Sequence, residues 1–405
     1  MSKHPQPASS SEDTPWFLVL LLIGAGVVAS FQVGKAPPVL TAMRHELGMS
    51  LFVSGWILST FNIIGLTLGS ASGAAADGFG HRRLLILGLS LQGLGSLFGG
   101  LTHQVPVLFM TRVLEGLGFL MVAVSAPSLI FVITRSRDLR LALAGWSCFL
   151  PAGASAIMLI APLVTGPYGW RGLWILNALI LGGYTLFIAA CTKKLPHTKD
   201  ARRITPLKIV RDSVKTSTSI GPLLLALIFS TYTMRWLGMM GFLPTLLMEE
   251  YSLTQNRASV LTALVVAVNV LGNLAGGWLM SKGARRWQLI MAVSLIMGLL
   301  SLFIYAQGLP FMVRYSSCLL FTGIGGILPA CLISGVPVHA PSPDLVATTN
   351  GMVMQGSQLG QLVGPPVLAY LVTAYGGWQA SPWMHIGSAV LGILLAVWLA
   401  VLERR

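Results

Sequence analysis

The sequence predicts an all-α polytopic membrane protein with twelve transmembrane helices, arranged as two six-helix pseudo-repeats. Only 9% of the 405 residues are charged and the mean hydropathy is +0.77, whereas about a quarter of the residues in a soluble chain are charged. Apolar runs of about 20 residues, enough to cross a hydrocarbon core of about 30 Å, recur from end to end. The 45 glycines favour close packing of membrane helices.

A polar stretch at 192–220 separates the first six predicted spans from the last six. Spans 1 to 6 are predicted at 16–42, 51–73, 84–101, 106–133, 141–164 and 171–191. Spans 7 to 12 are predicted at 221–248, 258–280, 287–306, 310–336, 345–372 and 381–402. The predicted organisation is an N-terminal tail at 1–15, a six-helix bundle at 16–191, a basic linker at 192–220, a second bundle at 221–402 and a short C-terminus at 403–405.

Basic residues predict the orientation of the chain. If both termini lie on one side, that side carries nineteen of the 26 Lys and Arg residues, and the other side carries only Arg44, Arg171 and Arg257. Because basic loops stay in the cytoplasm, we expect both termini there, in the cytoplasmic (inner) membrane of a cell. The polar tail before the long apolar run from Trp16 does not resemble a cleaved signal peptide.

Several classes of function are not favoured by the sequence. The four cysteines have no paired spacing, and we find no metal-binding cluster, phosphate-binding loop or nucleophile elbow. We therefore expect neither an enzyme nor a cofactor-dependent protein. The net charge of +14 follows from the basic loops, so we expect a bilayer and not a nucleic acid as partner, and a monomer as the working unit.

The two halves repeat at an offset near 204 residues. Residues 73–83, which read Gly-Ala-Ala-Ala-Asp-Gly-Phe-Gly-His-Arg-Arg, match residues 277–286, and Tyr168-Gly-Trp resembles Gly376-Gly-Trp. The common order and offset of these matches indicate a duplicated six-helix unit.

This pattern resembles the major facilitator superfamily. The resemblance covers residues 16–402 and depends on the six-plus-six arrangement, the basic linker and the loop after span 2. The loop departs from the family pattern at Gly78 and His81, and Ser281 replaces the acidic residue in its second copy. The resemblance implies that spans 1, 4, 7 and 10 line a central cavity. It also implies that Asp77, Arg82 and Arg83 belong to a gate, for which Asp138 is a further candidate.

Five charged residues interrupt the apolar spans: Lys35, Arg112, Glu115, Arg235 and Arg314. Each costs at least about 2.5–3.5 kcal/mol to insert, so such residues usually face a polar pathway. By the family resemblance, all five fall on cavity-lining spans. At 1.5 Å per residue, Lys35, Arg112 and Arg235 can approach a common depth.

Structural roles are open alternatives for these charges. Arg112 and Glu115 are three residues apart, so they can neutralise each other as a pair on one helix face. Lys35 and Arg314 can reach the headgroup region with their long side chains. Arg235 is central and has no acidic residue near it in sequence, so it is the strongest candidate for contact with substrate.

If the cations converge, they predict a site for a small anion, since the planar guanidinium group binds oxyanions through paired hydrogen bonds. Polar residues of the spans extend the candidate substrate site, with interhelical hydrogen bonding as their structural alternative. The candidate substrate-binding residues are Lys35, Arg112, Arg235, Gln32, Asn269 and Gln358.

The leading hypothesis is a secondary active transporter that takes up a small organic or inorganic anion by alternating access, coupled to protons. Glu115 is the proton-coupling candidate because it is the only acidic residue inside a predicted span. An anion exchanger needs no such group and is an alternative. Drug or metabolite export is another, although span 5 lacks the Gly-Pro-x-x-Gly-Gly motif typical of exporters. A membrane sensor without transport is the alternative from a different class.

Overall fold

The structure is a computed structural model that describes residues 13–193 and 206–403. Within these ranges the side chains of residue 71 and of residues 73–78 and 206–209 are not described. The side chain of Asp77, the gate candidate, therefore lies outside the described part of the chain, as do residues 194–205 of the predicted linker.

Helices follow one another in the predicted order, with bounds that differ from prediction by a few residues, and we keep the span numbers for them. Before the linker they are Trp16–Gly34, Leu40–Leu47, Leu51–Ser59, Ile63–Phe79, His81–Leu101, Val105–Ile133, Leu139–Ser147 and Phe149–Cys191. The linker contributes the helix Pro206–Ser217. The remaining helices are Ile220–Tyr251, Gln255–Ala267, Asn269–Ser281, Arg286–Tyr305, Phe311–Gly325, Ile327–His339, Val346–Ala374 and Ser381–Glu403. No strand occurs in 13–193 or 206–403.

Ten of the described helical segments are long and apolar enough to cross a membrane. One of them, Phe149–Cys191, has 43 residues, or about 65 Å of helix, which is twice the thickness of a hydrocarbon core. Gly169 interrupts it with φ 61° and ψ −167°, a conformation open to glycine, so this segment contains spans 5 and 6. Val346–Ala374, which contains span 11, has 29 residues but is not among the ten.

Several spans are broken near their middle. Span 1 contains the 3-10 turn Pro37–Val39, since Pro37 and Pro38 cannot donate the backbone hydrogen bonds of an α-helix. Span 2 contains the 3-10 turn Thr60–Asn62. Span 8 is divided at Val268 and span 10 at Gly326. Broken helices of this kind give membrane bundles internal points of bending.

The two ends of the bundle differ in charge. One end, which we call the basic end, carries Arg82, Arg83, Arg137, Arg140 and Arg285 in or beside its loops. At the opposite end, the indole of Trp170 donates to Glu46 (2.7 Å) and the indole of Trp378 donates to Glu249 (2.8 Å). Both tryptophans belong to the repeated Gly-Trp segments, so these two contacts also follow the internal repeat.

Contacts between the halves join spans 1 and 7 near the opposite end. The hydroxyl groups of Thr41 and Thr245 lie 3.3 Å apart, and Arg44 lies 3.7 Å from Glu249. Spans 5 and 8 meet where Ser259 donates to the carbonyl of Met158 (2.6 Å).

Spans 2 and 11 stay in contact over much of their length. Ser59 donates to the carbonyl of Gln361 (3.2 Å), and Gln355 donates to the carbonyl of Leu66 (2.8 Å). The two halves are thus closed against each other at the opposite end, and spans 2 and 11 extend that contact toward the basic end.

Candidate functional site

Lys35, Glu115 and Arg112 form one buried charge cluster in the first half. The Lys35 ammonium group lies 2.7 Å from one carboxylate oxygen of Glu115, and the Arg112 guanidinium lies 2.5 Å from the other. The side chains of Lys35 and Glu115 are fully buried, and Arg112 is 1% exposed. One carboxylate thus pairs with two basic side chains, and the formal charges of the three groups sum to +1.

Groups from spans 1, 2, 3 and 6 hold this cluster in place. Lys35 also donates to the hydroxyl of Ser96 (2.7 Å), and its ammonium lies 4.4 Å from the ring centroid of Trp174. Arg112 donates to the backbone carbonyls of Gln32 (3.0 Å) and Ile57 (3.2 Å). These hydrogen bonds offset part of the cost of burying charge, because a buried ion pair needs further partners for its remaining donors.

Arg112 also links the cluster to the break in span 2. Its guanidinium lies 4.9 Å from the ring centroid of Phe61, which belongs to the 3-10 turn Thr60–Asn62. Span 4 approaches the same turn closely, since a side chain at Gly116 would overlap the carbonyl of Phe61. The charge cluster and the broken part of span 2 therefore form one packed unit.

Arg235 lies in the second half in a different environment. It is fully buried, and its guanidinium donates to the carbonyls of Thr231 (2.9 Å) and Ser294 (3.2 Å) and to the Ser294 hydroxyl (3.3 Å). No carboxylate of the described residues lies within 4.0 Å of it. A guanidinium has five N–H donors, so donors remain after these three hydrogen bonds.

The hydrogen bonds and ion pairs place the four predicted cations in three separate environments. Lys35 and Arg112 share Glu115, whereas Arg235 contacts spans 7 and 9 of its own half. Arg314 forms an ion pair with Glu250 (3.1 Å) and donates to the carbonyl of Ile304 (2.8 Å). Among the described residues, Arg235 is the buried intramembrane cation without a carboxylate partner.

The predicted polar residues are also distributed over the two halves. Gln32 is buried and donates to the carbonyl of Gln92 (3.2 Å). Asn269 donates to the hydroxyl of Tyr232 (3.1 Å) and to the carbonyl of Thr322 (2.9 Å), and so links spans 7, 8 and 10. Gln358 packs against Gly65 of the other half.

The arginines of the predicted gate have contacts within the first half. Arg82 donates to the carbonyl of Ala189 (2.8 Å) and to the hydroxyl of Thr192 (3.0 Å), at the end of span 6. Arg83 is exposed. These contacts connect span 3 with span 6 and do not cross to the second half.

Asp138 connects the N-terminal segment with the loop after span 4. It accepts a hydrogen bond from the hydroxyl of Thr14 (2.5 Å) and lies 3.5 Å from Arg137. The Thr14 hydroxyl is the main cause that lowers the pKa of this carboxyl group below its ordinary value, with Arg137 as a further one.

Comparison with known families decides the identity of the fold. A family model described as Major Facilitator Superfamily matches residues 21–365. The chain belongs to the major facilitator superfamily. It is a multi-pass membrane protein, and the resemblance inferred from the loop motif and the six-plus-six arrangement is confirmed.

Similar proteins are named for different compounds. The chain is 26% identical to "Multidrug resistance protein Stp" of Mycobacterium tuberculosis, over 46% of this chain and 32% of that protein. It is 24% identical to "Putative niacin/nicotinamide transporter NiaP" of Bacillus subtilis, over 85% of this chain and 86% of that protein. The chain spans about a third of the length of the multidrug resistance protein it matches.

A solved structure supports the fold alone. A bacterial homologue of the human lysosomal transporter Spinster, in an inward-facing and occupied conformation, matches with a TM-score of 0.79. The sequences are 14% identical, and the match covers 98% of each chain. At this identity the match shows a shared arrangement of helices and no more.

Sequence reasoning missed several residues around the charge cluster and around Arg235. Ser96, Trp174 and Ser294 contact the buried cations but are common residues in membrane helices, and their role depends on packing between spans. Gln92 and Ser96 are four residues apart in an apolar run. This spacing places both on one face of a helix, and it is the feature of the sequence that could have identified them as polar residues of the interior.

Proposed function

We propose that this transporter moves a small anion by alternating access, and that proton uptake drives its accumulation. The observation that carries the proposal is Arg235, a fully buried guanidinium with no carboxylate within 4.0 Å among the described residues. Burying a charge without a counter-ion costs free energy, so such a charge is usually retained because function requires it. An anionic substrate supplies the missing negative charge during transport.

The charge balance of the interior supports an anion as the substrate. Lys35, Arg112 and Arg235 are buried, and Glu115 is the carboxylate that faces two of them. Charges in a poorly screened interior act over long distances. The two halves therefore both contribute positive potential to the space between them, and this potential attracts anions even without direct contact.

Glu115 is the proposed proton carrier. Its two carboxylate oxygens lie 2.7 Å from Lys35 and 2.5 Å from Arg112, so protonation weakens two ion pairs at once. Arg112 also donates to the carbonyl of Ile57 in span 2, which contacts span 11. Protonation of Glu115 is thereby able to change the packing between the halves, which alternating access requires.

The remaining predictions are part of the same proposal. The basic end faces the cytoplasm of the inner membrane, the two six-helix bundles at 16–191 and 221–402 move against each other, and the monomer is the working unit. Lys35, Arg112, Arg235, Gln32, Asn269 and Gln358 contribute to substrate binding directly or through the potential they create. Asp77, Arg82, Arg83 and Asp138 contribute to closing the basic end.

The niacin relative also supports an anion. This relative is named for niacin, which is a carboxylic acid, as well as for the neutral nicotinamide, and the match extends over 86% of that protein. A small organic carboxylate is accordingly the first class of substrate to test.

Ligand-induced thermal stabilisation of the purified protein tests this proposal. The panel contains mono- and dicarboxylates, phosphate esters, nitrate and cyanate beside neutral and cationic compounds. We expect one anion class to raise the melting temperature of the wild type, less so for Arg235→Lys and not for Arg235→Gln. Arg314→Gln is the matched control, since its arginine pairs with Glu250. Stabilisation by cations or neutral drugs, with no response to anions, would refute the proposal.

Export of a drug or metabolite is the second candidate function. It is favoured by the multidrug resistance relative, which matches 46% of this chain. Counterflow in proteoliposomes distinguishes the two candidates: an exporter loads neutral or cationic compounds, and Arg235→Gln leaves that loading unchanged.

A further inference from the structure

Three amide side chains form a layer one helical turn from the charge cluster, which we call the amide layer. They are Gln32 of span 1, Gln92 of span 3 and Asn177 of span 6, and all three are fully buried. Each lies one turn nearer the basic end than a residue of the charge cluster or its shell, namely Lys35, Ser96 and Trp174. Gln32 donates to the carbonyl of Gln92 (3.2 Å), and the Asn177 amide lies 3.5 Å from the Ser96 hydroxyl.

The amide layer has polar atoms without hydrogen-bond partners among the described residues. They are the side-chain oxygens of Gln32 and Asn177 and both polar atoms of the Gln92 amide. Buried polar groups in proteins almost always have a partner, from the protein or from an ordered water. Four such atoms on three neighbouring residues therefore indicate a bound polar ligand.

Leucine and valine side chains close the layer on the side of the basic end. Leu89, Val122 and Leu181 lie one turn further along spans 3, 4 and 6, and they are at most 1% exposed. On the other side are Lys35 and Glu115. The unpaired amide atoms therefore lie in the buried interior of the first half, between an apolar layer and the charge cluster.

We propose that the amide layer binds a cluster of internal water molecules that solvates the Lys35–Glu115–Arg112 cluster. Both donor and acceptor atoms lack partners, and water satisfies both kinds, since each molecule donates and accepts. A metal cation fits poorly next to Lys35 and Arg112, which together outnumber Glu115. An inorganic anion would leave the amide oxygens without donors.

The waters have a structural task in this arrangement. Three charged side chains in the interior carry a large desolvation cost, and hydrogen-bonded groups around them offset it. Internal water adjacent to Ser96 and Lys35 extends that shell of hydrogen bonds. This inference does not depend on the identity of the transported substrate.

The first test measures the melting temperature of Gln92→Leu, which removes both unpaired atoms of the glutamine at similar size. If the layer is hydrated, the variant loses water-mediated hydrogen bonds, and the melting temperature falls by about 3 °C or more. If the layer is dry, the substitution removes two unsatisfied atoms and the melting temperature rises, which would overturn the proposal. Asn269→Leu, whose amide is paired with Tyr232 and Thr322, is the control for loss of a satisfied amide.

Two further measurements separate water from an ion and from a folding failure. The melting temperature is recorded in chloride and in gluconate, and a chloride-dependent stabilisation that Gln92→Leu abolishes would overturn the proposal in favour of a bound anion. An experimental structure of the wild type at a resolution that reveals waters is expected to contain density within hydrogen-bond distance of the Gln92 amide. A site without such density would refute the proposal even if Gln92→Leu does not fold.

Discussion

Lys35 and Arg235 lie on the corresponding spans 1 and 7 of the two halves, but only Lys35 faces a carboxylate. Lys35 donates to Ser96 of span 3, and Arg235 donates to Ser294 of span 9, which is the corresponding helix of the second half. Glu115 lies 2.7 Å from Lys35, and Arg235 has no such partner among the described residues. Each half thus has a cation–serine contact between corresponding spans, although the charge balance around the contact differs.

This asymmetry predicts opposite responses to removal of charge. Arg235→Met removes a buried charge that has no counter-ion, and apolar replacement of such a group is often neutral or stabilising. We expect the free energy of unfolding of Arg235→Met to stay within about 1 kcal/mol of the wild type or to exceed it. Chemical denaturation in detergent measures this change. A loss of several kcal/mol would show that Arg235 is required for folding and would contradict the assignment of its charge to function.

Glu115→Gln is expected to behave in the opposite way. It leaves Lys35 and Arg112 buried without the carboxylate, and breaking a buried pair typically costs about 3–5 kcal/mol. The double variant Lys35→Met/Glu115→Gln removes one of the two uncompensated charges, so its loss should be smaller than the sum of the single losses. A double-mutant cycle on the free energy of unfolding measures this coupling. Additive losses would contradict a direct ion pair between Lys35 and Glu115.

The parts of the fold that depend on local pattern were predictable from the sequence. Hydrophobic length located the helices, and the 3-10 turn Pro37–Val39 occurs at two consecutive prolines, which interrupt an α-helix. The spacing of Arg112 and Glu115 allowed an ion pair as one alternative, and the structure contains this pair at 2.5 Å. The break at Thr60–Asn62 has no proline or glycine within it and depends on packing of Gly116 against Phe61, which the local sequence does not reveal.

The arrangement of the site required the three-dimensional structure. Depth along each span brought Lys35, Arg112 and Arg235 to one level, but depth says nothing about the direction of a side chain around its helix axis. Lys35 and Arg112 turn toward Glu115, and Arg235 turns toward Ser294 of its own half. The direction in which a side chain points around its helix axis is set by contacts between spans, so one sequence alone did not predict it.

Asp138 predicts a pH-dependent contribution of the N-terminal segment to stability. The Thr14 hydroxyl lowers the pKa of Asp138 below its ordinary value of 3.8, so the contact stabilises the protein above that pH and the contribution is lost as the pH falls through the lowered pKa. We expect Thr14→Val to melt at a lower temperature than the wild type at pH 7, and the difference to shrink on acidification below about pH 4. When both proteins also carry Asp138→Asn, the difference in their melting temperatures should no longer depend on pH. A pH dependence that persists would mean that a group other than Asp138 causes it.

Close packing of spans 8 and 10 gives a matched pair of glycine substitutions. A side chain at Gly272 would overlap the carbonyl of Gly323, whereas a side chain at Gly277 on the same helix meets nothing within 4 Å. Gly272→Ala should therefore lower the free energy of unfolding by about 1–3 kcal/mol. Gly277→Ala should change it little or raise it by about 0.5–1 kcal/mol, since alanine favours helix. Equal effects of the two substitutions would contradict the close approach of spans 8 and 10.

Thr41 and Thr245 predict that a covalent link at the opposite end stops transport. Their hydroxyl groups lie 3.3 Å apart and their positions differ by 204 residues, which is the offset of the internal repeat. In alternating access this contact has to separate when the opposite end opens.

We expect Thr41→Cys/Thr245→Cys, with Cys148, Cys191, Cys318 and Cys331 replaced by alanine, to form a disulfide under oxidation. Flux of the anion identified by thermal stabilisation should then fall to background and return after reduction, while either single cysteine variant is unaffected. Full flux through the oxidised, cross-linked protein would mean that spans 1 and 7 do not separate at this end, and that the halves do not move as alternating access requires.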